Sequence, residues 1–379
     1  MKRNKILITG GAGFIGSNLA LKLVSCGAEV VVLDNLSEQV HGEEYTDSSL
    51  FTSIKDKVDF IHGTVQCRDD WIQALSGVDT VVHLAAETGT GQSMYEIEKY
   101  TDININGTSI FLDILANESH NVSKMIVASS RSIYGEGKYH CTVHGDVYPK
   151  ERVVGNMKNG DFEVKCPVCK GRLKLCATDE SSDIHPSSIY GITKQVQEQM
   201  FMLMGRSLGI DSVALRFQNV YGPGQSLSNP YTGILSIFST SILNGNDINI
   251  FEDGLESRDF VYIDDVVDSI VLSIFNEEAK GHVFNVGSGV NTNVLAVAEK
   301  LITNYASNSK VKVTYNFRVG DIRHNYACLN LIKDKLNFTP KVDFDTGINK
   351  FCDWVKQQEV KLDRYQHSIE EMKSKGLYK

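Results

Sequence analysis

Hydrophobic residues in the first half of the chain fall into two alternating patterns. Short β-branched runs read as strands: KILIT (Lys5–Thr9), EVVVL (Glu29–Leu33), VDFI (Val58–Ile61), DTVVHL (Asp79–Leu84) and KMIVAS (Lys124–Ser129). Between them, apolar residues recur at helical spacing over Phe14–Cys26, Asp70–Leu75 and about 97–117. The strands are largely continuous apolar runs, so both of their faces must be covered. That predicts a doubly wound α/β fold, a parallel sheet with helices on each side and right-handed crossovers.

The rhythm stops over residues 138–178, which hold glycines, lysines and paired Cys/His but no long apolar period. It resumes with a helix near 188–208 and a strand, SVALR (Ser212–Arg216). After Val220 the texture loosens. YGPGQSLSNPYTG (Tyr221–Gly233) reads as a loop of turn residues, and helices are predicted near Ile234–Leu243, Asp264–Phe275, Val294–Tyr305 and Gly347–Val360. The expected division is a first domain, 1–220, interrupted by an insertion at 138–178. A smaller α/β domain, 221–379, follows and sends segments back to the first.

A length of 379 residues suits that plan, and 42% hydrophobic against 22% charged residues is the balance of a globular chain. A net charge of −9 argues against a protein held to nucleic acid by phosphate contacts. The apolar run after MKRNK is too short for a secretion signal, and no run approaches a membrane span. The expectation is a soluble cytoplasmic protein with neither membrane nor nucleic acid as partner.

TGGAGFIG (Thr9–Gly16) follows the first strand and opens the first helix. Gly10, Gly13 and Gly16 allow a tight turn, close approach to a pyrophosphate and packing of helix on strand. The helix start at Phe14 and Ile15 offers unpaired N–H groups to phosphates. A glycine triplet alone is equally a Gly-rich turn. Here the second strand ends at Asp34, followed by Asn35, where a carboxylate accepts from a ribose 2′-hydroxyl and repels a 2′-phosphate. NAD is therefore expected over NADP, on a Rossmann-type sheet.

SIYGITK (Ser188–Lys194) sets Tyr190 and Lys194 four apart, on one face of a helix. A tyrosine hydroxyl titrates near ~10, too high for a base at neutral pH. A neighbouring ammonium and a positive nicotinamide ring would lower it. The pair alone occurs on many surface helices; beside the glycine loop it is specific.

At these residues the chain resembles the extended short-chain dehydrogenase/reductase family of nucleotide-sugar enzymes. The resemblance covers nearly all of the chain outside 138–178. It includes HLAA (His83–Ala86), NGT (Asn106–Thr108), SSRSIYG (Ser129–Gly135), LRFQNVYGP (Leu215–Pro223), SRDFVYIDD (Ser257–Asp265) and FNVGSG (Phe284–Gly289). It implies that Leu84, Ala85 and Ala86 line the cofactor. Ser130 would bond the reacting hydroxyl, Tyr190 would be the base, and Lys194 would hold the nicotinamide ribose and tune Tyr190. Asn219, Arg258, Arg318 and Asp321 fall where the family holds the nucleotide diphosphate, and arginine suits phosphate in its own right. One departure is Thr64 in HGTV, where many members have an Asp near the adenine. The family commonly dimerises through two helices per subunit, here about 97–117 and 188–208. QMFMLMG (Gln199–Gly205) fits such a homodimer contact, or a plain core face, equally well.

The family contains epimerases, 4,6-dehydratases, decarboxylases and reductases, so the fold does not choose among them. Sugar 4,6-dehydratases typically carry an Asp-Glu pair after the serine. This chain has Arg131 and Ser132, counted here as substrate contacts, so elimination lacks its acid and base. Epimerisation at carbon 4 needs only Tyr, Ser and NAD. A narrower resemblance rests on AAETGTGQSMYEI (Ala85–Ile97), SSRSIYGEGKYHC (Ser129–Cys141), TDE (Thr178–Glu180) and the stretch 218–240. It is to the bacterial dTDP-L-rhamnose 4-epimerases, which interconvert dTDP-L-rhamnose and dTDP-6-deoxy-L-talose and share the Cys/His insertion. Thr88, Gln92 and Ser93 would then line the sugar side. The rivals are a UDP-hexose 4-epimerase, a 4-keto-sugar reductase, and a non-catalytic NAD-binding protein whose insertion binds a partner. Lys150, Arg152, Lys158, Lys165, Lys170, Arg172 and Lys174 make that insertion locally basic.

Of eight cysteines, Cys26, Cys67, Cys176, Cys328 and Cys352 are scattered, while Cys141, Cys166 and Cys169 cluster. Cys141-x-x-His144 and Cys166-x-x-Cys169 supply four N/S ligands in two knuckles, the signature of a closed structural zinc site of ribbon type. His140 and Cys176 are nearby alternative ligands. Zinc would hold the shape of a segment with little core of its own.

Overall fold

The computed structural model describes residues 4–231 and 233–379; Thr232, within the loop expected at Tyr221–Gly233, lies outside them. Strands β1 (Lys5–Thr9), β2 (Glu29–Asp34), β3 (Asp59–His62), β4 (Thr80–His83) and β5 (Lys124–Ser130) form where the apolar runs place them. The insertion contributes β6 (Tyr139–Cys141), β7 (Gly145–Val147) and β8 (Lys174–Leu175), and the chain then returns to the main sheet as β9 (Asp211–Phe217). A seventh main-sheet strand, Val283–Val286, comes from the FNVGSG segment. The sheet is parallel throughout, in the order β3-β2-β1-β4-β5-β9 and then Val283–Val286.

Helices cover both faces, as continuous apolar strands require. On one face Phe14–Ser25 and Ile263–Phe275 bury Leu19, Leu23, Val266 and Ile270. On the other, Arg68–Ala74, Gly107–Asn117 and Ile189–Leu208 bring Trp71, Phe111 and Phe201 together, with Trp71 stacked on Phe111 at 4.7 Å. The helix expected over 97–117 is interrupted by a widened π turn, Asp102–Asn106. There the buried Asn104 amide turns away to bond both backbone groups of Glu87 (2.8 and 3.1 Å) and the Thr193 hydroxyl (2.9 Å). Beyond Val220, short parallel pairs and the helices Ile234–Leu243, Val294–Asn304 and Phe344–Val355 build a second layer on the same core. No helix among the described residues is long and apolar enough to cross a membrane.

The insertion is a three-stranded antiparallel sheet, β7-β6-β8, over a small cluster of Tyr139, Cys141, Val147, Val164 and Cys166. A second patch, Met157 and Phe162, packs on Phe317 from the C-terminal half.

Beneath β5 lies a buried ion pair. Arg216 on β9 makes a two-pronged contact with Glu198 on the helix Ile189–Leu208, at 2.6 and 3.0 Å. Ser129 donates to the same carboxylate (2.6 Å), and Arg216 also donates to the Tyr134 hydroxyl (2.6 Å). Tyr134 passes a bond on to Asn285 in the edge strand (2.8 Å). Removing one member of such a pair leaves the other charged and buried. Glu198→Ala is therefore expected to lower unfolding free energy by about 3 kcal/mol in urea melts, while an exposed control such as Glu359→Ala leaves the transition midpoint essentially unchanged.

Candidate active site

At the carboxyl ends of the strands, where the order reverses beside β1, lies a cavity of about 550 Å³. Its floor is the glycine loop. Gly10 has φ +66°, and a Cβ there would stand 2.8 Å from the Ala85 nitrogen; at Gly16 a Cβ would collide with the Gly10 carbonyl oxygen. The loop thus closes only with hydrogen at both places. Gly13 caps the helix Phe14–Ser25 without any side-chain bond, so the first N–H groups, at Phe14, Ile15 and Gly16, have no intrahelical partner at the cavity wall. Asp34 at the end of β2 accepts from the N–H groups of Ala12 (2.9 Å) and Leu36 (2.8 Å). Those bonds fix its carboxylate and leave lone pairs for hydroxyl donors. Asn35, Leu84, Ala85 and Ala86 line the same wall. Thr64 lies there too, its loop held by the Asp70 carboxylate accepting from the Thr64 N–H at 2.7 Å.

Ser130, Tyr190 and Lys194 meet on the opposite side. Tyr190 opens the helix Ile189–Leu208, whose N-cap Ser188 accepts from the Gly191 N–H (3.1 Å). Tyr190 and Ser130 are neighbours in the cavity lining. Burial raises the phenol above its ordinary value, while the neighbouring Ser130 hydroxyl and the Arg131 charge pull it down. Lys194 is buried and donates to the Ala128 carbonyl (3.0 Å) rather than to Tyr190; burial lowers its ammonium to about 7. His83 of the HLAA segment is enclosed between Thr9 (2.7 Å) and Thr108 (3.0 Å), and burial pushes it down to about 3, so it is a neutral brace.

A third wall is rich in arginine. Asp321 accepts from Arg318 (2.6 Å) and Arg258 (3.1 Å), and Arg131 donates to Asn219 (2.8 Å). Burial works against the Asp321 carboxylate, yet Arg318, Arg258 and Arg152 together hold it well below the usual carboxylate range. Glu256 joins this wall, and burial pushes it up to about 7. Tyr365, Ser368 and Met372, from the helix Tyr365–Ser374, close the cavity. This helix's place is not legible from local spacing, because its buried residues are few.

Thr88 and Arg131 line the cavity as expected of sugar contacts, but Gln92, Ser93 and Ser132 do not. The 3-10 turn Gln92–Met94 carries Gln92 inward to the Tyr100 hydroxyl (3.1 Å), and Ser93 accepts from the Tyr190 N–H (3.1 Å). Ser132 sits behind Ser130, whose hydroxyl accepts from the Ser132 N–H (3.1 Å). These three support the site from behind. Arg152, expected among the basic surface of the insertion, has a side chain only 4% exposed.

In the insertion, Cys141, His144, Cys166 and Cys169 bring one ligand atom each to within 4.8 Å of one another. Cys141 Sγ is 3.5 Å from His144 Nδ1 and 3.8 Å from Cys169 Sγ, and Cys166 Sγ is 3.6 Å from His144 Nδ1. A tetrahedral ion with bonds of zinc length has S–S and S–N edges of about 3.8 and 3.5 Å. His140 bonds Asp146 (3.0 Å) and Cys176 the Lys174 carbonyl, so neither alternative ligand joins the cluster.

Fold and cavity together define a dinucleotide-dependent enzyme of the α/β class. The chain belongs to the NAD dependent epimerase/dehydratase family, whose model matches residues 6–151 and 172–287. It is 34% identical over 362 residues to dTDP-L-rhamnose 4-epimerase of Burkholderia thailandensis, covering 95% of this chain and 96% of the other. It is 29% identical to a putative UDP-glucose 4-epimerase of Methanocaldococcus jannaschii, over 93% and 98% of the two chains. Among solved structures, UDP-glucose 4-epimerase of Thermotoga maritima with UDP-glucose superposes with a TM-score of 0.74 at 28% identity, over 93% of this chain and 99% of that one. The glycine cradle, which a Cβ would fill, and the fixed carboxylate of Asp34 fit the family's NAD.

Proposed function

We propose that the chain is a nucleotide-sugar 4-epimerase acting on dTDP-L-rhamnose and dTDP-6-deoxy-L-talose through a transient 4-keto sugar. The observation that carries the reading is the meeting of Ser130 and Tyr190 at the cavity wall, with Arg131 where elimination would need an acid. Bound NAD would supply a reversible hydride acceptor at carbon 4. The protein's own part is proton handling and grip. Tyr190 removes the carbon-4 hydroxyl proton and gives it back after the sugar has turned over. Ser130 holds that hydroxyl in line, and Lys194, close to neutrality in cost, favours the phenolate when it is charged. Arg258 and Arg318, with Asp321 and Asn219, grip the nucleotide diphosphate so that the sugar alone rotates.

The rhamnose assignment is supported by the 34% identity to the Burkholderia enzyme along nearly its whole length. A UDP-hexose 4-epimerase is the second reading, favoured by the Methanocaldococcus and Thermotoga relatives. In either case the four Cys/His ligands hold a structural zinc, because they include no carboxylate and the ion would sit away from the reaction. Ile97, Ile192 and Leu203, exposed on the helices at 97–101 and 189–208, support assembly as a homodimer through those helices.

Purified protein given dTDP-L-rhamnose without added reductant should form its carbon-4 epimer, seen by NMR. Absence of a new sugar with this substrate and with UDP-glucose and UDP-galactose would end the epimerase reading. Tyr190→Phe should lose about 10²–10⁴-fold in turnover while retaining bound NAD. The active form of Tyr190 is the phenolate, so the rate should rise with pH toward its titration. Ser130→Ala removes a neighbouring hydroxyl that favours the phenolate, and should move that limb to higher pH. Metal analysis of protein purified without chelator should find one zinc per chain, and Cys166→Ser should lose it.

A further inference from the structure

Residues 152–171 fall in the gap between the two segments that the family model matches. From that stretch Arg152 crosses to the C-terminal half. It donates to the Asp321 carbonyl (2.9 Å) and clasps Glu252 with both terminal nitrogens (2.7 and 2.9 Å), while its Nε lies 3.2 Å from Glu136. Two neighbours in the same stretch grip the ends of the same loop. Phe162 packs on Phe317, and Glu163 accepts from the fully buried Arg323 (2.7 and 3.0 Å). The loop 317–323 thus meets the insertion at its start, middle and end, and between those points it carries Arg318 and Asp321.

We propose that the insertion is a working part of the substrate site: Arg152 is a positioning residue that fixes the 317–323 loop so that Arg318 and Arg258 meet a nucleoside diphosphate. This rests on the reading of Arg258, Arg318 and Asp321 as diphosphate contacts. The chain of bonds is short. Arg152 holds the Asp321 backbone, and the Asp321 carboxylate holds both arginines. No other basic residue of the insertion is as buried as Arg152, whose guanidinium is spent on this loop and on Glu252 and Glu136 rather than on solvent or an external partner. Displacing an arginine by a fraction of an ångström weakens a two-pronged phosphate contact more than it disturbs the fold, because that contact is directional.

The test is calorimetric titration of the NAD-loaded protein with dTDP and with UDP, beside steady-state kinetics. Arg318→Ala is the control for the diphosphate contact. Arg152→Met should weaken nucleotide binding about ten-fold and raise KM for the nucleotide sugar in step, with kcat within about two-fold and NAD content unchanged. Arg152→Lys should restore part of the affinity. Phe162→Leu, which leaves every ionic partner in place, should weaken binding in the same direction, and decides the matter if Arg152→Met does not fold. Wild-type dTDP affinity in folded Arg152→Met or Phe162→Leu, with Arg318→Ala impaired, overturns the positioning role alone. Wild-type affinity in Arg318→Ala overturns the diphosphate assignment, and this proposal with it.

Discussion

The site depends on bringing Ser130, the last residue of one strand, beside Tyr190, in the first turn of a helix far along the chain. The surrounding structure is arranged to hold both in place. Ser93 accepts from the Tyr190 backbone, Ser132 donates to Ser130, and Asn104 ties the helix to the loop after β4. Two turns further on, Glu198 and Arg216 lock the same helix to the neighbouring strand. Rigid positioning of this kind is what the proposed proton transfer through Tyr190 requires.

Charge is distributed to match. The chain as a whole carries −9, yet one wall of its cavity presents Arg131, Arg258 and Arg318. Their repulsion is offset by Asp321 and by Asn219, which accept from the guanidinium groups and leave their outer faces to the cavity. Burial lowers the Lys194 ammonium to about 7 and raises the Glu256 carboxyl, on the arginine wall itself, to about 7. An arginine-rich wall of this kind suits a ligand with a charged diphosphate.

The main sheet was legible because six of its strands are largely apolar runs, and the cofactor loop because glycine spacing and an acid at a strand end are local features. The seventh strand, VFNV, escaped notice because Asn285 interrupts it. That side chain is buried by bonds to Tyr134, Thr178 and Cys328, none of them near in sequence. Gln92 and Ser93 looked like sugar contacts because polar residues after a strand usually face the pocket. A single turn of 3-10 helix reverses them. Arg152 looked like one solvated charge among seven in the insertion, since its acid partner Glu252 lies 100 positions away. Local spacing reveals ligand sets and loops; it is silent on charges whose partners arrive through tertiary folding.

That separation has a consequence for how the protein is made. The insertion leaves the ribosome well before Glu252, Asp321 and Arg323, which lie 100, 169 and 160 positions beyond their partners Arg152 and Glu163. Until then Arg152 and Glu163 lack these C-terminal partners, and the segment's own apolar cluster is small. Four ligands within 29 residues of chain would let that segment close without waiting for the C-terminal half. It can stand as a finished template against which the last loops of the protein are fitted.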